Sequence, residues 1–198
     1  MTGVFDTVRR ALRWARLRLK RLAYLRSARD RWQQPEGVIA ALAVREGDRV
    51  ADLGAGPGYF TFRLARAVGP LGRVYAVDTD PDMSFLVTEA AARVDVRNVA
   101  VVEAAAEDPT LPVPVDLVLV VNAFHHLPVP ATYLTTLSKY LRPGGRIAII
   151  ETRPRWFTLG HATTPEAIAE AMNEAGYTRA AQHEIVRAQS FQVFERAT

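Results

Sequence analysis

The 198-residue chain contains no cysteine, so disulfides, thiolate metal sites and a cysteine nucleophile are all excluded. No apolar run approaches the eighteen or so residues that a membrane-spanning helix needs. The N-terminus also lacks the apolar stretch of a secretory signal, and the expectation is a soluble or peripheral intracellular protein. Internal repeats and low-complexity linkers are missing too. Histidine is scarce: His125, His126, His161 and His183 are the only four, and because their spacing matches no ligand motif, no metal is expected.

The charge that is present is unevenly placed. Residues 1–34 hold ten Lys or Arg against Asp6 and Asp30, a net of +8 that leaves −4 for the rest of the chain. Residues 4 to about 29 read as one helix. At about 100° per residue, Val4, Val8, Ala11, Leu12, Ala15, Leu19 and Leu22 gather on one face and Arg9, Arg13, Arg16 and Lys20 on the other. Trp14, Leu17 and Tyr24 fall outside the apolar face. Such a helix suits the headgroup zone of an anionic bilayer. A lid packed on the core, or RNA contact through phosphates, are the other readings. Residues 1–34 are therefore set apart as a basic helical extension, and residues 35–198 as one α/β domain.

Within that domain a short helix is expected over 35–43, with Pro35 in its first turn. Strand and helix patterns then alternate: strand 49–53, helix 58–68, strand 73–78, helix 81–93, strands 99–102 and 116–121, helix 130–141, strand 146–151. This alternation implies a parallel sheet covered on both faces. A further helix over 165–175 precedes two strands, 178–186 and 190–196, which should pair antiparallel at one sheet edge.

The most informative stretch is Asp52-Leu53-Gly54-Ala55-Gly56-Pro57-Gly58, leaving the first strand, with Asp78 twenty residues past Gly58 at the end of the second. Glycines there let the backbone turn tightly against a ligand, and a carboxylate at Asp78 can accept from both hydroxyls of a ribose. A dinucleotide fingerprint wants its third glycine one residue later, where Tyr59 stands. The evenly spaced motif behind Asp52 instead resembles motif I of the class I S-adenosylmethionine-dependent methyltransferases.

That resemblance covers roughly residue 35 to the C-terminus and implies a Rossmann-like, mostly parallel seven-stranded sheet in the order 3-2-1-4-5-7-6. It also implies S-adenosylmethionine as cofactor, with S-adenosylhomocysteine as product. Asp52 would hold the turn or reach the cofactor's amino group through water, Gly54, Gly56 and Gly58 would meet the methionine moiety, and Asp78, beside Thr79, would take the ribose. Met83 packs either on the adenine or in plain core. Where many relatives carry an acidic residue for the adenine amino group, this chain has Ala104-Ala105-Ala106, leaving the backbone near Ala106, or Glu103 or Glu107, to replace it. Asn122 completes the cofactor set.

The stretch Asn122-Ala123-Phe124-His125-His126-Leu127-Pro128 resembles quinone-biosynthesis methyltransferases and small bacterial phospholipid N-methyltransferases, and lacks the motif with which base-amino methyltransferases grip a flipped base. His126, His125 or Tyr59 would take or relay a proton, and Arg153, Arg155 and Trp156 would contact the acceptor. The acceptor expected is the amine of phosphatidylethanolamine, on the inner face of the membrane. The alternatives are O- or C-methylation of a quinone precursor or other hydrophobic molecule, and a protein that binds the cofactor without transferring its methyl group.

Overall fold

The computed structural model describes Leu17, residues 27–154 and residues 161–197. Seven strands form one sheet in the order β3-β2-β1-β4-β5-β7-β6, as expected. They are β1 Arg49–Leu53, β2 Arg73–Asp78, β3 Val99–Glu103, β4 Val115–Val121, β5 Leu141–Thr152, β6 Tyr177–His183 and β7 Gln189–Arg196. β1 pairs in parallel with β2 and β4, β2 with β3, and β4 with β5. The C-terminal pair enters antiparallel, β7 lying between β5 and β6.

The helices are α1 Ser27–Gln33, α2 Pro35–Leu42, α3 Thr61–Ala67, α4 Pro81–Arg93, α5 Pro130–Leu137 and α6 Pro165–Glu174. Both sheet faces are buried because successive strand residues point to opposite sides. Ala51, Leu53, Val118, Val120, Ile147 and Ile149 pack with Leu134 and Leu137 of α5 and Ile168 and Met172 of α6. Their neighbours Val50, Leu117, Leu119, Ala148 and Ile150 pack with Val38 and Leu42 of α2 and Leu64 of α3.

Several boundaries differ from expectation, among them the end of β6, at His183 rather than 186. α3 begins at Thr61 rather than 58, because the glycine turn continues through residue 60. The helix expected over 130–141 is α5 followed by a 3-10 turn, Ser138–Tyr140. β5 starts early, at Leu141, with an irregular register between Val115 and Leu117 opposite Pro143-Gly144-Gly145.

Most of the expected basic helix, including Trp14 and Tyr24, lies outside the described residues. Its described parts are helical, but Leu17 is not a solvent-side residue: it is buried on Met83 and Leu86 of α4. At the other end α1 closes at Gln33, Gln34 turns left-handed with φ 45°, and Pro35 opens α2. No helix among the described residues is long and apolar enough to cross a membrane.

In this order the winding of the sheet reverses between the parallel strands β1 and β4, so a crevice opens at their carboxyl ends.

Candidate functional site

The glycine turn leaves β1 under tight constraint. Gly54 has φ 72°, and a Cβ there would stand 2.5 Å from that of Ala123 beyond β4. Its amide and that of Ala55 donate to the carbonyl of Val77 on β2. Gly58, at φ 89°, lies against the Phe62 ring, where a Cβ would be 2.7 Å away. Gly54 and Gly56 line the crevice; Gly58 does not, and serves the packing of α3 instead.

The cavity has a volume of about 660 Å³ and is bordered by the ends of β1, β2 and β4 and by α1. Asp78 stands at its edge with its carboxylate fixed: Oδ2 accepts from the Gly56 amide at 2.8 Å and Oδ1 from the Asp80 amide at 2.9 Å. Each oxygen keeps a lone pair, which is what two vicinal hydroxyls require. Thr79 lines the cavity beside it.

Asp52 is 3% exposed, and its Oδ2 accepts from the Thr61 hydroxyl at 2.6 Å. Burial pushes its pKa up to about 6, with Asp78 adding to the rise and Thr61 and Arg29 opposing it. A buried carboxylate left in this state gains from a cationic ligand. The donor set therefore fits a molecule with a ribose and a positive charge.

At the far end, Met83 borders the cavity while packing on Leu17 and Leu86. Ala104, Ala105 and Ala106 also line it, but Glu103 and Glu107 are exposed and outside it. Neither glutamate therefore reaches the adenine end expected here, where the backbone of 104–106 borders the cavity.

Asn122 lines the cavity in a left-handed conformation, φ 51°, and holds it through a chain of amides. Its Oδ1 accepts from Gln189 Nε2 at 2.6 Å and from the Thr152 hydroxyl at 2.9 Å. Gln189 in turn accepts from buried Gln33 of α1 at 2.7 Å. α1 is thereby tied to the floor of the site, and it brings two cavity residues that local sequence patterns do not reveal, Arg29 and Trp32.

Tyr59 also lines the cavity, but its chemistry is committed elsewhere. Its hydroxyl donates to Asp30 Oδ1 at 2.5 Å, and the guanidinium groups of Arg29 and Arg63 lie over its ring at 3.9 Å and 4.4 Å from the centroid. Burial and the Asp30 contact push its pKa well above the usual phenol range. The hydroxyl expected as a proton relay thus makes its bond to Asp30 and fastens α1 to the site.

The two histidines occupy a 3-10 turn, Phe124–His126, after β4. His126 faces the cavity; His125 stands behind it, Nδ1 lying 3.1 Å from Oε1 of Glu151, which is fully buried at the end of β5. Glu151 also accepts the amides of Phe124 and Thr152, and burial raises its pKa to about 7. Burial lowers both histidine pKa values, with neighbouring imidazoles adding to it.

His161 joins them from the segment between β5 and α6, with ring centroids 5.5 Å from His125 and 6.1 Å from His126. One ligand atom from each of the three lies within 4.8 Å of the others. The fold thus gathers His161 with two histidines from which the sequence separates it.

Arg153 is not a cavity residue. Its Nε donates to the carbonyl of Gln189 at 3.1 Å, and its guanidinium meets Glu184 at 3.5 Å. Arg155 and Trp156 lie outside the described residues.

Residues 50–145 match a family described as a methyltransferase domain. An uncharacterized 37.1 kDa protein of a Streptomyces fradiae transposon is 34% identical over 154 residues, covering 76% of this chain and 41% of that protein. The ubiquinone/menaquinone biosynthesis C-methyltransferase UbiE of Pasteurella multocida is 34% identical over 117 residues, 57% of this chain and 43% of the enzyme. The chain spans less than half the length of either relative. Among solved structures, a SAM-dependent methyltransferase from Aquifex aeolicus superposes with a TM-score of 0.80 at 23% identity, over 87% of this chain and 94% of that one.

Proposed function

From the premise that this chain carries a class I S-adenosylmethionine-dependent methyltransferase domain, with S-adenosylmethionine as its cofactor, we propose that it methylates an apolar, membrane-resident acceptor. The observation that carries this is one crevice in which a fixed ribose-binding carboxylate, Asp78, shares a wall with Trp32, Phe60, Leu127 and Tyr133. When bound, S-adenosylmethionine supplies an electrophilic methyl group on a sulfonium. Asp78 would hold the ribose, Asp52 would complement the positive charge, and Met83 with the backbone of 104–106 would cover the adenine. The large apolar side chains exclude water and bring the acceptor into line, which supplies most of the acceleration in a displacement of this kind. His126 is a polar side chain lining the same cavity, and it would orient the acceptor's reacting group or take its proton.

Two acceptor classes are distinguished by different support. A lipid headgroup amine, phosphatidylethanolamine first, fits the basic segment of residues 4–29 docking on an anionic membrane and Arg29 on the cavity wall as a partner for phosphate. A quinone precursor methylated on carbon or oxygen fits the similarity to UbiE. Incubation of the purified chain with methyl-labelled cofactor and a total bacterial lipid extract decides between them. Label on headgroup amines supports the first and label on an aromatic ring or its oxygens the second. Label that stays in water-soluble molecules refutes an apolar acceptor.

A further inference from the structure

The histidine cluster has a use beyond proton transfer. We propose that His125, His126 and His161 bind a divalent transition-metal ion, zinc by preference, at the rim of the crevice. The three ligand atoms already lie within 4.8 Å of one another. Tetrahedral zinc, with Zn–N bonds of about 2.0–2.1 Å, needs them about 3.4 Å apart, which small side-chain rotations supply.

Three features resemble built metal sites rather than a chance stack of rings. Glu151 is fully buried and its Oε1 lies 3.1 Å from Nδ1 of His125, so that in its carboxylate form it accepts from Nδ1–H and leaves Nε2 as the lone-pair nitrogen. A carboxylate behind a ligating imidazole is the usual means of fixing its tautomer and raising its basicity. His161 lies two residues before Thr163, whose amide donates to the carbonyl of Thr152 beside Glu151, and Thr164 caps α6 through the amide of Ala167. Finally, three neutral imidazoles would leave one of four coordination positions open, and His126, one of the three, lines the cavity. An oxygen or sulfur donor on the acceptor would take it, an extension that rests on the proposed function; metal binding itself does not.

The test uses the full chain without a histidine tag, stripped of metal and titrated with zinc against a chromophoric chelator. One zinc ion should bind per chain, and cobalt in its place should give the intense visible bands of a tetrahedral site. His161→Ala, at an exposed position, should weaken zinc by more than about 100-fold, and Glu151→Gln by about 10–100-fold, the range for a group that orients a ligand. His183→Ala should bind as wild type does, since His183 packs on Phe191 away from the cluster. S-adenosylmethionine affinity, followed in the same samples, should survive His161→Ala and so separate loss of metal from loss of fold. Wild-type protein that takes up no stoichiometric zinc overturns the proposal, as does zinc binding that His161→Ala leaves unchanged.

Discussion

Two carboxylates in the crevice carry opposite consequences. Asp78 is half-buried and already shaped by two backbone amides, so its remaining lone pairs are pre-aimed. Asp78→Ala is expected to weaken S-adenosylmethionine by about 1.5–3 kcal/mol, the range for hydrogen bonds to a charged group. Calorimetry that finds equal affinity contradicts the ribose assignment. Asp52 is held against its own charge, with a folded-state pKa of about 6 against an ordinary value of 3.8. Below both values it is neutral folded and unfolded alike; between them the folded protein holds the extra proton, so stability falls as pH rises, and above both the cost is complete. Asp52→Asn removes that cost. In the ligand-free protein it should raise Tm more at about pH 7 than at about pH 4, and an equal gain at both sinks the reading. The motif residues were legible because their roles are local to one turn. The neighbours of His125 and His126 were not: Glu151 and His161 reach them only through the pairing of β4 with β5, and spacing along the chain carries no trace of that.

Among the elements, α1 is the least local. Sequence periodicity merges it with the basic segment before it, whereas the structure binds it to the site through Asp30, Gln33, Arg29 and Trp32. Tyr59→Phe removes the hydroxyl that latches α1 to Asp30. Because Asp30 is half exposed, the global cost should be about 1 kcal/mol or less, yet amides of 27–33 should exchange faster with solvent. Unchanged exchange there would show that α1 is held without the latch. The preceding segment is tested by charge rather than by deletion, since removing Leu17 would disturb Met83 beside the cofactor. Changing Arg9, Arg13, Arg16 and Lys20 to Gln should release the chain from anionic vesicles, at about 1 kcal/mol for each cation, while cofactor affinity holds. Equal flotation of variant and wild type removes the membrane proposal.

For the whole molecule, alternation of apolar strands with amphipathic helices was enough to expect a parallel sheet covered on both faces, while the order of its strands came from the resemblance to the methyltransferase fold. The terminal hairpin followed from its short connection. Irregular β5 did not, since Pro143-Gly144-Gly145 reads as a turn and hides the bridge between Leu141 and Val115. The acceptor stayed open for a different reason: the crevice wall is assembled from α1, the β4 exit and α5, and its shape exists only after all three meet. The most direct test of the account follows S-adenosylhomocysteine by mass spectrometry as purified chain meets S-adenosylmethionine and fractionated cell extract. The product should accumulate with the organic fraction, stay at background with the aqueous one, and fall away in Asp78→Ala. Wild-type protein that binds the cofactor yet releases no product with the organic fraction, or as much with the aqueous one, contradicts it.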